Sequence, residues 1–185
     1  MSKPGSFPPD RPESDTAGAR LWAPWRSAYI RAARTTSREC IFCLPRIDAR
    51  SLRRRLMLYA GPLALVMLNR YPYNNGHLMI APRRHVATPE LLTREERATI
   101  AELQALAVER LRGALHPDGI NLGANLGRTA GASFSEHLHW HLVPRWDGDS
   151  NFMPVVGSTR VLSQHLDESF ALLAPHFKAI DTALS

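Results

Sequence analysis

Cysteine is almost absent from this chain. Of its 185 residues only Cys40 and Cys43 carry a thiol. Two cysteines this close together cannot build the disulfide framework of a small secreted fold, so that class is excluded. Lysine is equally scarce: Lys3 and Lys178 stand alone, and the basic surplus behind the formal charge of +6 is arginine. No apolar run approaches the roughly 20 residues that cross a bilayer, so no membrane partner is expected. The N-terminus lacks the charged, apolar, small-residue order of a signal peptide. Together these absences lead to the expectation of a cytoplasmic protein. Arginine forks onto phosphate, which fits an anionic partner, although codon bias explains the preference equally well. The densest cluster, Arg53-Arg54-Arg55, reads as an exposed loop or strand edge.

What is present suffices for one domain, with 44% hydrophobic residues to bury. Residues 1–20 are rich in Pro, Ser, Asp and Gly and read as a disordered tail. Residues 21–185 read as the domain, entered through the aromatic segment Leu21-Trp22-Ala23-Pro24-Trp25. Leu56–Tyr59 and Leu63–Leu68 read as paired strands around Gly61-Pro62. His77-Leu78-Met79-Ile80 reads as a third strand after a turn-rich segment, Tyr71 to Gly76. Thr93 and Glu96 have the spacing of a capping box. Behind them Ile100, Leu103, Ala107, Leu111 and Leu115 form one helical stripe. Ile120–Leu126 alternates as a strand. Leu166, Phe170, Leu173, Phe177 and Ile180 predict a C-terminal helix. Strands, helix, strands, helix imply an α+β domain with a largely antiparallel sheet, one long helix and one C-terminal helix.

Two constellations carry chemistry. Cys40-Ile41-Phe42-Cys43 follows a polar stretch and precedes Leu44-Pro45, so it does not open a helix as a redox motif would. Half a zinc site, with two ligands still to be found, is the better reading. The second is His137-Leu138-His139-Trp140-His141-Leu142-Val143. In an extended chain residues two apart share a face. The three imidazoles then line one surface while Leu138, Trp140 and Leu142 enter a core. Such a row can bind metal, hold phosphate or act as a nucleophile. Four of the other histidines, His77, His116, His165 and His176, read as packed or solvated.

His137 to Val143 fits the pattern His-φ-His-φ-His-φ-φ (φ apolar) and resembles the histidine triad family of nucleotide hydrolases and transferases. Leu68–Leu78 resembles that family's strand-turn-strand beside the nucleoside. Asn121 to Gly131 resembles the strand and loop before the triad. Tyr71-Pro72-Tyr73-Asn74, Glu136–His139, Pro144-Arg145-Trp146 and Asp149-Ser150-Asn151-Phe152 are similar to its bacterial diadenosine tetraphosphate phosphorylase branch.

The resemblance implies the histidine triad fold and cleavage of a dinucleoside polyphosphate through a nucleotidyl-histidine intermediate. His139 is implied as nucleophile. His141, Ser133 and the backbone amides of the Gly131–Ser133 loop are implied as donors to developing charge, and His137 as the third member of the catalytic triad. Asn125 is implied to orient the phosphate, and Asn69 to hold the ribose hydroxyls. Asn69 stands where many of the hydrolases carry Asp, and Ala132 where they carry Gln. The first departure leans toward the transferase and phosphorylase branches; the second leaves the leaving group open and argues against a simple nucleoside phosphoramidate hydrolase.

A structural zinc is implied on Cys40, Cys43, His85 and His137. Magnesium accompanies the substrate phosphates in this picture, and a homodimer is implied. The alternatives are a hydrolase of other nucleoside phosphates or phosphoramidates, and a non-catalytic nucleotide-binding module. A nucleic-acid-end processing enzyme would need a DNA-binding extension, so nucleic acid is not expected as a partner.

Overall fold

The computed structural model describes residues 40–43, 49–132, 134–149, 164–178 and 180. A short helix α1 (Ala49–Arg54) leads into β1 (Met57–Ala60), β2 (Ala64–Leu68) and β3 (Leu78–Pro82). The long helix α2 (Arg94–Leu115), β4 (Gly119–Ala124), β5 (Trp140–Arg145) and α3 (Leu166–Phe177) follow. All strand pairs are antiparallel, in the order β1-β2-β3-β5-β4. The α+β expectation is met. β2 and β3 are buried at every position. A strand covered on both faces has no reason to alternate, and this is why Leu63 to Leu68 reads as an unbroken apolar run.

The two faces of the sheet are covered differently. On one, Ala64, Val66, Leu68, Leu78, Ile80 and Leu142 pack against Ile100, Leu103, Ala107 and Leu111 of α2 and Leu173 and Phe177 of α3. On the other, Met57, Leu65, Met67, Met79 and Ala81 gather around Phe42. His141 belongs to this second face, because it pairs with Met79 while Trp140 pairs with Ile80.

α2 begins as its sequence requires. The Glu96 N–H donates to Thr93 Oγ1 at 3.1 Å, and the Thr93 N–H donates to Glu96 Oε2 at 2.8 Å. Two orphan donors of the first turn are thereby satisfied. Gly76 seats the Tyr71–Gly76 turn on the far end of this helix. Its φ is +68°, and a Cβ there would lie 2.3 Å from Leu115 Cδ1. Only glycine meets both conditions without strain.

Two expectations are corrected. Arg53 and Arg54 form the last turn of α1, not a loop or strand edge; cations there complement the helix dipole. The histidine segment is only partly a strand. The ladder begins at Trp140, and His137 and His139 precede it. Beyond the Ile80–Trp140 pair the backbone bonds to a different segment, with the Leu138 N–H donating to the Val86 carbonyl at 2.7 Å. The alternation of faces survives, since Leu138 joins the helix-side core. No described helix is long and apolar enough to cross a membrane. The proposed tail, the Trp22–Trp25 segment and Phe152 lie outside the described residues.

Candidate active site and metal centre

Cys40 to Cys43 form a tight turn, closed by the Cys43 N–H on the Cys40 carbonyl at 3.2 Å. That turn aims both thiols at the start of the histidine segment. His137 Nδ1 lies 3.2 Å from Cys40 Sγ, 3.6 Å from Cys43 Sγ and 3.2 Å from His85 Nδ1. Cys43 Sγ is 3.2 Å from His85 Nδ1. The four ligand atoms all lie within 4.8 Å of one another.

Tetrahedral zinc with ordinary bond lengths sets ligand atoms about 3.3 Å (N to N) and about 3.5 Å (N to S) apart. The residues present therefore fit zinc: two sulfurs and two nitrogens would make the full tetrahedral set of a structural site. The outer contact agrees. His137 Nε2–H donates to the Pro82 carbonyl at 3.0 Å, which leaves the Nδ1 lone pair facing the thiols. Burial holds the His137 pKa down at about 4, so the ring is neutral, as a ligand must be. Burial also raises the Cys43 thiol, with the neighbouring Cys40 adding to it.

His139 is the next residue on this face and is 4% exposed. The expected surface row of imidazoles is thus a buried one at His137 and His139, and half-buried only at His141. The cover over His139 is Phe42, stacked on its ring at 4.9 Å and 30°. Phe42 also touches His137 at 5.0 Å and Phe134 at 6.1 Å. His139 is therefore not turned into the helix-side core. Its Nδ1–H donates to the His137 carbonyl at 2.9 Å, which places the lone pair on Nε2. Burial lowers its pKa, so the imidazole is neutral and nucleophilic near pH 7.

His141 lies edge-on to His139, with ring centroids 5.0 Å apart. Its partner is His77, a residue that sequence reasoning set aside as merely packed. His77 Nδ1 accepts the Tyr73 N–H at 3.0 Å, so its own proton sits on Nε2. Nε2 lies 2.9 Å from His141 Nδ1 and donates to it. The proton of His141 is thereby fixed on its Nε2. A backbone amide and two imidazoles set one tautomer in series. The available signal was the position of His77, directly after a turn and at the head of a strand.

The other expected residues fall as follows. Asn69 sits at the end of β2, its Oδ1 accepting the Tyr71 N–H at 2.9 Å and its Nδ2 3.5 Å from His77 Nδ1. Asn125 follows β4 one residue beyond the Ala124–Trp140 pair, on the side of β5 where His139 enters. Gly131, at φ +95°, shapes the loop. Its amide already donates to the Arg128 carbonyl at 3.0 Å, and that of Ala132 to the Gly127 carbonyl at 3.3 Å. These two amides are bonded within the turn. Ser133 lies outside the described residues.

Comparison with known proteins points the same way. The sequence profile of the HIT domain matches residues 53–148. The AP-4-A phosphorylase of Mycobacterium tuberculosis is 39% identical over 160 residues, covering 84% of this chain and 82% of that protein. An adenosine 5'-monophosphoramidase of Schizosaccharomyces pombe is 31% identical over 108 residues, covering 58% of this chain and 74% of the relative. The crystal structure of a zinc-bound histidine triad family protein from Mycobacterium smegmatis is similar at a TM-score of 0.55 and 27% identity. That match covers 69% of this chain and 87% of the other.

Proposed function

The chain belongs to the HIT domain family, and from that premise we propose that it splits the phosphate chain of a dinucleoside polyphosphate. Neutral His139 attacks the phosphorus through Nε2, and the P–O bond to the leaving nucleotide breaks. The Nε2–H of His141 hydrogen-bonds the phosphate oxygens on which charge develops, and the leaving nucleotide departs as its phosphate anion without taking a proton. Inorganic phosphate then attacks the nucleotidyl-imidazole, breaks its P–N bond and returns a free enzyme. The observation that carries this reading is the tautomer arrangement: Nδ1 of His139 is tied to a carbonyl, and Nδ1 of His141 accepts from His77. A nucleophile and a donor of complementary protonation thus stand side by side on one face.

In the same proposal Asn69 meets the ribose, Asn125 and Ser133 meet the phosphate, and Gly131 holds the loop. His137 acts through the metal centre and not at phosphorus, since both its ring nitrogens face other partners. Zinc on Cys40, Cys43, His85 and His137 supplies cross-linking of the Cys40–Cys43 turn to the approach of His139. Magnesium travels with the substrate phosphates. The unit is residues 21–185 with a tail of 1–20, and it works in the cytoplasm as a homodimer. The outer strand β4 supports the dimer, since it has a neighbour on one side only and leaves Leu122 47% exposed.

The test is product analysis on diadenosine tetraphosphate with and without inorganic phosphate. ADP plus ATP, formed only when phosphate is present, is the expected result. AMP plus ATP in either case would make water the acceptor and the enzyme a hydrolase. No cleavage beside turnover of an adenosine phosphoramidate would move the substrate to the P–N class.

A further inference from the structure

Two segments that resemble the phosphorylase branch, Tyr71–Asn74 and the stretch from Pro144 to Asp149, lie far apart in sequence and are knotted together in space. Asp149 is the centre of the knot. Its Oδ2 accepts Arg145 Nε–H at 2.6 Å, Asn74 Nδ2–H at 2.8 Å and the Trp146 N–H at 3.1 Å; Oδ1 accepts Arg145 Nη2–H at 2.8 Å. Asn74 spends its other amide proton on the Pro144 carbonyl at 3.1 Å. Arg145 extends the knot to β4 through Asn121 Oδ1 at 3.0 Å. The Asp149 side chain is only 10% exposed, and the Arg145 guanidinium holds its carboxyl down at about 2.

An exposed ion pair on a surface would merit little attention. This carboxylate instead accepts four hydrogen bonds and ties the turn between β2 and β3 to the end of β5. The residue beside Asn74 is Tyr73, whose amide fixes the tautomer of His77 and, through it, of His141. Within the turn, the Asn74 carbonyl accepts the His77 N–H at 3.2 Å and Asn74 Oδ1 accepts the Asn75 N–H at 3.1 Å.

We propose that Asp149, acting through Asn74, is a positioning residue for the reaction: it holds the Tyr73 amide in register with His77 and so keeps the proton of His141 on Nε2. The competing account is purely structural, with Gly76 and Leu115 seating the turn unaided and Asp149 adding nothing at the imidazoles. This inference rests on the reading of His141 as hydrogen-bond donor to the reacting phosphate for its effect on rate. Its effect on the tautomer stands independently of any substrate.

The experiment uses the full chain and two variants, Asp149→Asn and Asn74→Ala, the second removing the link without disturbing the Arg145 pair. Long-range nitrogen-15 correlation of the histidine rings reads the tautomer without substrate. Steady-state kinetics on diadenosine tetraphosphate with inorganic phosphate reads the consequence. The wild type is expected to show one Nε2–H tautomer at His141, and both variants a mixture. A misplaced donor costs turnover more than affinity, so kcat should fall about 10- to 100-fold while KM moves by less than about 3-fold. The double variant should lose no more than either single one, since both cut the same link. An unchanged His141 tautomer in a folded variant overturns the proposal whatever the rates do. So does a double variant whose losses multiply. A wild type that turns over no nucleotide defeats the functional reading instead, and the nitrogen-15 measurement still decides the role of Asp149.

Discussion

A single phenylalanine joins the two chemical centres of this protein. Phe42 lies between the two thiols and is 1% exposed, and its ring is stacked on His139. Whatever fixes the Cys40–Cys43 turn therefore fixes the wall against which His139 leans. The ligand distances around His137 describe a closed set of two sulfurs and two nitrogens, and ligands of that kind add binding free energy directly to folding. The purified protein is expected to carry one zinc per chain by elemental analysis. Cys43→Ser should reduce that content strongly and lower the melting temperature. A metal-free wild type with undiminished stability would contradict the assignment.

The residue scale is also where the sequence was least legible. Cys40-Ile41-Phe42-Cys43 disclosed a metal half-site but not that its inner aromatic covers His139, because a stack between positions so distant in the chain is a tertiary fact. His77 was hidden for the same reason: its importance lies in a hydrogen bond to His141. The turn that the Gly131 and Ala132 amides close, on the carbonyls of Arg128 and Gly127, was likewise not legible.

At the scale of elements, α2 was the most legible part of the chain. Its capping box and apolar stripe agree, and Ile100, Leu103, Ala107 and Leu111 are buried as the period requires. Its first turn also carries a pH-sensitive contribution to stability. Glu96 is almost fully buried and paired with Arg84 through both carboxylate oxygens, each at 2.7 Å. The Arg84 hydrogen bonds hold its carboxyl down at about 2. A carboxyl whose folded-state pKa is depressed stabilises the fold above its unfolded value, about 4, and loses that contribution as the pH falls through about 2. Urea midpoints measured from pH 5 downward should therefore drop in the wild type. Glu96→Gln should be less stable at pH 7 by about 1 kcal/mol or more, in keeping with the loss of a cap and a charge-assisted bond, and its midpoint should depend less on pH below 4. Parallel acid profiles for the two proteins would refute this. The short helix α1, by contrast, was not legible: six residues with an arginine-rich end have too little period to distinguish a helix turn from a loop.

At the scale of the whole molecule the sheet divides labour between its faces. Helices α2 and α3 close one side, and the other presents the histidines to Phe42 and to the Cys40–Cys43 turn. The alternation in His137 to Val143 announced this division correctly, even though the hydrogen-bonded strand starts only at Trp140. The central claim is that His139 becomes covalently attached to the nucleotide. It is tested most directly by mixing the enzyme with diadenosine tetraphosphate in the absence of phosphate, quenching in mild base, and mapping any nucleotidyl adduct by peptide mass spectrometry. The account predicts one adenylyl group on His139 in the wild type. It predicts none in a folded His139→Ala variant, whose turnover should fall by about 10⁴-fold or more. An adduct on another residue, or a His139→Ala enzyme that still turns over, would contradict it.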